Sequence, residues 1–93
     1  MKTLVVGGGG ALSALKRGSS LLPAGVTRVE GLFERGDAVL VLAPDGAAVA
    51  KGLVTYDVGD AGRLTGHRTE DIESVLGWRG RDELIHRDDL VLL

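Results

Sequence analysis

The sequence predicts one small, mainly β domain with short helices, of the barrel or sandwich type. Short apolar runs rich in Val, Leu and Ala are separated by turn signals about every 8–12 residues, a spacing typical of small all-β folds. The clearest turn is Pro44-Asp45-Gly46, because proline fixes φ and glycine accepts a positive φ. The helical patterns between these runs are too short to serve as crossovers in a parallel α/β sheet.

In the first half of the chain, a strand over residues 3–6 runs into four glycines and a short helix. Gly18 suits the left-handed stop of that helix. Leu22 is predicted to be extended because it precedes a proline. Pro23-Ala24-Gly25 is typical of a turn. Two further strands are predicted over residues 26–30 and 38–43.

The second half predicts a long strand over residues 47–58, with Gly52 marking a bulge or a tight barrel corner. A helical turn over residues 60–64 would be capped by Asp60. Thr69 is the expected N-cap of a second helix, which Gly77 would close. Two short strands, over residues 84–86 and 90–93, would complete the fold.

Composition excludes several classes of function. The net charge of −2 gives no overall attraction for nucleic acid, so we expect no DNA partner. Only three aromatic residues are present, whereas single-strand binding platforms need several exposed rings. The absence of cysteine rules out disulfides and thiolate metal sites. With no signal peptide and no apolar run of about 20 residues, we expect a cytoplasmic chain without a membrane partner.

The N-terminus resembles a dinucleotide-binding unit, since a strand leads into glycines and a helix, with Glu30 twenty residues beyond Gly10. The helix ends too early for that fold, however, and no repeating βα pattern follows. The structural alternative is a glycine connection between strand and helix. We therefore expect no nucleotide cofactor.

No other pattern indicates an active site. His86-Arg87-Asp88 resembles a kinase catalytic loop but lacks the asparagine four residues beyond its aspartate. His67 is distant in sequence from His86, and no spacing fixes a third metal ligand. The sequence therefore predicts no catalytic residue, no metal and no cofactor.

Three short blocks carry a family resemblance. They are RGSSLLPAGV at residues 17–26, RGD before the strand at residues 38–43, and AKG at residues 50–52. Together they resemble the PUA domain. That resemblance implies a pseudo-barrel of about six strands with two or more short helices. The whole chain, residues 1–93, would form one such domain, with residues 1–10 as the first strand and glycine-rich connection and residues 11–93 as the family-like region.

The C-terminal half narrows the resemblance. The pieces SSLLPAGVTRVEG, EDIESVLG and GRDELIHRDDLVLL look like the C-terminal PUA domains of glutamate 5-kinases. Nothing resembles the amino-acid kinase domain that binds ATP and glutamate in those enzymes, so their catalytic residues have no counterparts here. One departure is that four glycines replace the VDxGA-like stretch typical of that family. The chain is thus expected to be an excised domain or a stand-alone relative.

This resemblance implies two alternative functions. The first is a non-catalytic accessory or regulatory role in proline biosynthesis, with the amino-acid kinase domain of a parent enzyme or another subunit as partner. The second is recognition of structured RNA. In PUA domains the binding surface lies around the first helix and the turn after it, which here comprises Lys16, Arg17, Gly18, Ser19, Ser20, Pro23 and Gly25.

The charge near this surface should distinguish the two functions. A patch that combines Lys16, Arg28 and Arg87 would favour RNA, because clustered cations neutralise phosphates. A groove lined by Glu30 and the Asp88-Asp89 pair would disfavour it.

Overall fold

The computed structural model describes residues 1–93, which form one mixed β-sheet with short helices. The sheet has five strands, and three α-helices and three 3₁₀ turns connect them. In chain order the elements are β1 (Thr3–Val6), α1 (Gly10–Lys16), β2 (Val26–Glu30), β3 (Ala38–Leu42), β4 (Ala48–Leu53), α2 (Val58–Leu64), α3 (Ile72–Leu76) and β5 (Leu90–Leu92). The 3₁₀ turns are Pro23–Gly25, Thr69–Asp71 and Arg87–Asp89.

The strand order is β2-β1-β3-β4-β5. Strand β1 pairs antiparallel with β2 and parallel with β3, whereas the β3–β4 and β4–β5 pairs are antiparallel. All four residues of β1 are buried, and this strand has a hydrogen-bonded neighbour on each side. The predicted mainly β class with short helices is confirmed.

Alternating residues of the sheet form one wall of the core. Val39 and Val41 of β3 and Ala50 of β4 are buried, and the residues between them are partly or fully exposed. This alternation is what a sheet with one covered face requires. The helices complete the core with Leu15, Ala61, Leu64, Ile72 and Leu76.

The expected strand over residues 84–86 is wrong. The segment forms only an isolated antiparallel bridge, between Ile85 and Leu21. Its backbone is shared between two partners: the Leu84 N–H donates to the Leu21 carbonyl, while the Leu84 carbonyl accepts from the Thr55 N–H. A segment divided in this way builds no continuous ladder, so the sheet has five strands rather than about six.

Strand β4 is shorter than predicted because its backbone leaves the sheet after Leu53. The Val54 N–H makes the last bond in this register, to the Asp37 carbonyl at 3.0 Å, and the next N–H, that of Thr55, donates to the Leu84 carbonyl outside the sheet. The irregularity in the β3–β4 pair lies opposite the Val41/Leu42 step, so of the two predicted roles of Gly52, a bulge or a tight corner, the bulge is wrong. Gly52 is needed for a close approach: a Cβ there would lie 2.6 Å from the Asp89 carbonyl oxygen and 2.7 Å from Ile85 Cγ2.

Two of the predicted helix starts differ from the structure. Helix α2 begins earlier than expected, and its cap is Asp57, whose carboxylate accepts from the Asp60 N–H at 2.9 Å. Thr69 does not cap α3; it opens a 3₁₀ turn, and α3 has no side-chain cap. Gly77 closes α3 in the left-handed conformation, as predicted. None of these helices combines the length and the apolar character needed to cross a membrane.

Candidate binding groove

A groove separates α1 from the chain segment that follows it. It encloses about 480 Å³. One wall is α1 with the glycines that precede it, and the other is the extended segment that leads into β2. The groove is lined by Gly7, Gly8, Ala11, Ala14, Ser19, Ser20, Leu21, Leu22, Ala24, Gly25 and Thr27. We call this the α1 groove.

The end of α1 fixes the direction of the second wall. Gly18 has a φ of 86°, and its N–H donates to the Leu15 carbonyl. The next N–H, that of Ser19, reaches back to the Ala14 carbonyl at 3.1 Å. This pair of bonds is the Schellman motif, which reverses the chain after a helix. The predicted glycine stop is therefore confirmed, and it brings Ser19 and Ser20 to the groove.

Close backbone packing forms the other end of the groove. The Gly7 N–H donates to the Gly25 carbonyl at 2.9 Å. A Cβ on Gly25 would lie 3.0 Å from Ala11 Cβ. The close approach at Gly25 is thus made by α1 itself, and small residues on both sides keep the groove narrow.

The predicted binding residues separate into two groups. Ser19, Ser20 and Gly25 line the α1 groove. Pro23 is buried, so it shapes the turn and presents no surface to a ligand. The remaining three belong to the helix end beside the groove: Lys16, Arg17 and Gly18.

No charged side chain lines the α1 groove. Lys16 instead borders a separate apolar hollow beside Val49 and Leu92. Arg28 forms an exposed ion pair with Glu30, with a distance of 3.4 Å between Nε and Oε2. The structure therefore does not combine Lys16, Arg28 and Arg87 into one patch on the groove walls.

The C-terminal 3₁₀ turn lies beside the groove. The Arg87 backbone N–H donates to Ser20 Oγ at 2.8 Å, which places Arg87 next to one groove wall. Asp88 and Asp89 do not line the groove, and neither does Glu30. The acidic arrangement that would disfavour RNA is therefore absent as well.

Sequence reasoning missed the rest of the lining, namely Gly7, Gly8, Ala11, Ala14, Leu21, Leu22, Ala24 and Thr27. The run of glycines and the small residues of α1 were visible in the sequence. What was not visible is that α1 packs beside Gly25, a contact between residues distant in the chain.

The lining determines what the groove can bind. It offers peptide groups, two serine hydroxyls and small apolar side chains, and the two residues with perturbed pKa values, Asp37 and Tyr56, lie elsewhere. No group of three or more His, Cys, Asp or Glu side chains is placed to hold a metal ion. The geometry therefore suits contact with a narrow, uncharged surface through hydrogen bonds and van der Waals packing.

Comparison with known proteins identifies the family of the chain. The family model of the PUA domain matches residues 4–76. The glutamate 5-kinase of Dinoroseobacter shibae is 59% identical over 83 residues, which are 89% of this chain and 23% of that protein. The glutamate 5-kinase of Rhodospirillum rubrum is 61% identical over 83 residues, 89% of this chain and 22% of that enzyme. The chain thus spans less than a quarter of the curated relatives it matches, in their C-terminal PUA region.

Solved structures show the same fold. A PUA domain from Aeropyrum pernix, crystallised as a tartrate complex, superposes with a TM-score of 0.64 and 30% identity, over 92% of this chain and 42% of that one. A chain of the archaeal box H/ACA sRNP Nop10–Cbf5 complex gives a TM-score of 0.63 at 16% identity, over 100% of this chain and 23% of its own length. By its sequence match and its fold, this chain belongs to the PUA domain family.

Proposed function

We propose that this chain is an accessory domain of a glutamate 5-kinase, acting through contacts with a catalytic region and contributing no chemistry of its own. The observation that carries the proposal is the 59% identity over 83 residues to the C-terminal region of one such enzyme. The uncharged lining of the α1 groove counts against the RNA alternative, because phosphate backbones are bound by cations. This role implies a cytoplasmic location and a place in proline biosynthesis.

A domain replacement tests the proposal. The 83-residue matched region of the Dinoroseobacter shibae enzyme is removed, and this chain is fused in its place. ATP-dependent phosphorylation of glutamate is then measured, with and without proline, for the native, truncated and fused enzymes. We expect truncation to change the activity or its response to proline, and fusion to restore the native behaviour.

A second fusion serves as control. The Aeropyrum pernix PUA domain has the same fold at 30% identity, so it supplies a PUA fold without the glutamate 5-kinase-like surface. Restoration by this chain and not by the control supports the accessory role. A fused enzyme that behaves like the truncated one contradicts it, as does a truncation without effect.

Binding of structured RNA is the second candidate, favoured by the cations beside the α1 groove. Arg17 directly follows α1, Arg87 is bonded to the groove wall through its backbone, and neither forms an ion pair with a carboxylate. These side chains would have to supply the phosphate contacts, since the groove itself has no charge. The salt dependence of RNA binding tests this candidate, because each neutralised phosphate steepens the fall of affinity with salt.

A further inference from the structure

A second surface lies at the end of the sheet where β1 begins. There the β2–β3 loop and the start of α2 border a shallow groove of about 570 Å³. We call this surface the N-terminal pole; it comprises Met1 and the groove-lining residues Lys2, Leu32, Phe33, Glu34, Asp37, Asp57, Val58 and Gly59. It shares no residue with the α1 groove.

Two large apolar side chains project from this pole into solvent. Met1 is 85% exposed and Leu32 is 84% exposed. The backbone segments that carry them lie close together, because Gly31, with a φ of 86°, is so near the Met1 carbonyl that a Cβ there would overlap it. Single exposed leucines are common on protein surfaces. Whether Leu32 marks a docking surface therefore depends on the loop that carries it and on the residues around it.

The loop that presents Leu32 is held in place by its neighbours. Phe33, the next residue, is buried, and its carbonyl accepts from the Val58 N–H at 3.0 Å. Further along, the Gly36 N–H donates to the Val54 carbonyl at 2.8 Å. The backbone on the C-terminal side of Leu32 is thus anchored to two other segments. An anchor residue on an ordered loop loses little conformational entropy on binding.

The groove beside Leu32 is acidic. Its lining includes three acidic residues, Glu34, Asp37 and Asp57, and one basic residue, Lys2, which leaves a net charge of −2. Lys2 Nζ lies 2.9 Å from Asp37 Oδ2. The Glu34 N–H and this ammonium hold the pKa of Asp37 below its usual range, so the carboxylate remains charged. A partner that fits this surface combines an apolar socket with a basic rim.

We propose that the N-terminal pole is the surface that docks on the catalytic region of a glutamate 5-kinase, with Leu32 in an apolar socket and basic side chains opposite Glu34 and Asp57. This inference rests on the proposed accessory role. Chain connectivity argues for this occupant. The matched region is the C-terminal part of the relatives, so the rest of their polypeptide joins it through the first strand, which begins at this pole.

Such a connection also explains why a small surface suffices. A short link between two modules gives an effective concentration on the order of millimolar. Docking through one leucine and a few charges can then be nearly complete, although the same contact between separate molecules would be weak.

Amide hydrogen exchange on the fused Dinoroseobacter shibae enzyme tests the surface directly. Exchange of this chain within the fusion is compared with exchange of the free 93-residue chain. We expect slower exchange for residues 31–37 and 57–59 in the fusion and no change in the α1 groove. The Leu32→Ser substitution should weaken this protection about tenfold or more, since it removes the main apolar contact.

Matched substitutions separate docking from folding. Leu93→Ser changes another exposed leucine, 65% exposed, at the opposite end of the sheet. It should leave the protection intact. Glu34→Lys should reduce protection several-fold at low salt and less at high salt, whereas Glu73→Lys on α3 should not. Unchanged thermal unfolding of the free variants checks that each of them folds.

The possible outcomes test the N-terminal pole as docking surface separately from the accessory role of the chain. Protection at the α1 groove or at β5, or protection that grows with the concentration of the free chain, overturns the proposed surface and leaves the accessory role standing. Absence of protection in a fusion that restores activity does the same. A fusion that shows no protection and behaves like the truncated enzyme overturns both.

Discussion

Tyr56 links the core to the loop that follows α3. Its ring is buried, and its hydroxyl donates to the Arg81 carbonyl at 2.5 Å. The half-exposed ring of Trp78 packs against it, with 6.0 Å between ring centroids and a tilt of 48°. Tyr56 thereby attaches this loop to the core through one hydrogen bond and one ring contact.

Replacing this hydroxyl should destabilise the fold measurably. We expect Tyr56→Phe to lower the free energy of unfolding by about 1 kcal/mol, the usual net value of such a hydrogen bond. Urea unfolding at pH 7 measures the change. Because burial raises the pKa of Tyr56 above its ordinary value, the effect should also depend on pH. The contribution of the neutral phenol is complete below about pH 10 and is lost as pH rises through the raised pKa.

Spectroscopy isolates this titration, since Tyr56 is the only tyrosine of the chain. The absorbance of the phenolate in the folded wild type should appear above the pH at which it appears in urea. Coincident titrations in the two states, or equal alkaline destabilisation of wild type and Tyr56→Phe, would contradict this role.

At this same scale, sequence patterns predicted some positions of the candidate site and not others. Gly18 could be predicted because a glycine after a short apolar helix is a local signal. Ser19 and Ser20 followed from the family resemblance. Ala11 could not be predicted as a groove residue, because its position depends on contact with Gly25 across the fold.

The helices show how strand ends determine helix starts. Asp57 and Asp60 are both plausible caps by residue type, and both lie ahead of the same apolar positions. Strand β4 leaves the sheet after Leu53, so the chain has room to start α2 at Val58. The predicted strand over residues 47–58 included Asp57, so only Asp60 remained as a cap for the helix. This is why the predicted cap was wrong.

The two aspartates should therefore respond differently to substitution. Asp57→Ala removes the carboxylate that accepts the Asp60 N–H, and we expect it to cost about 1 kcal/mol of folding stability. Asp60→Ala keeps that cap and loses only a charge in the first turn; we expect a cost of about 0.3 kcal/mol, the low end for such a charge, because alanine has the higher helix propensity. Urea unfolding of the two variants gives the comparison, and an equal or larger loss for Asp60→Ala would contradict the assigned cap.

For the whole molecule, the mainly β class was predictable and the topology was not. Strand lengths and turns are local properties, and β1, β2 and β3 have nearly the predicted bounds. The parallel pairing of β1 with β3 places β1 between two later strands. That order depends on which apolar faces pack together in the core, and turn residues carry no information about it.

The charge distribution of the molecule argues against strong RNA binding. The net charge is −2, and five of the eleven Lys and Arg side chains form ion pairs. Around the α1 groove only Lys16, Arg17 and Arg87 remain for phosphates, and Lys16 borders the neighbouring hollow. We expect a Kd for structured RNA no tighter than about 10⁻⁴ M at 0.15 M salt, the weak limit of non-specific binding.

Titration of the chain with a structured RNA at 50 and 200 mM salt measures this. Three phosphate contacts would give a slope of log K against log salt of about −2.7, and hence a loss of about fortyfold over that interval. Micromolar binding that shows this slope, and that weakens about tenfold in Arg17→Ala but not in Arg68→Ala, would contradict our expectation. Arg68 is a suitable control because it is an exposed arginine that does not border the α1 groove and has a carboxylate partner, Glu70, 3.9 Å away. That result would favour RNA as the partner of this groove, because this salt slope is set by the number of phosphates that the protein neutralises. A surface that docks only on protein would not show it.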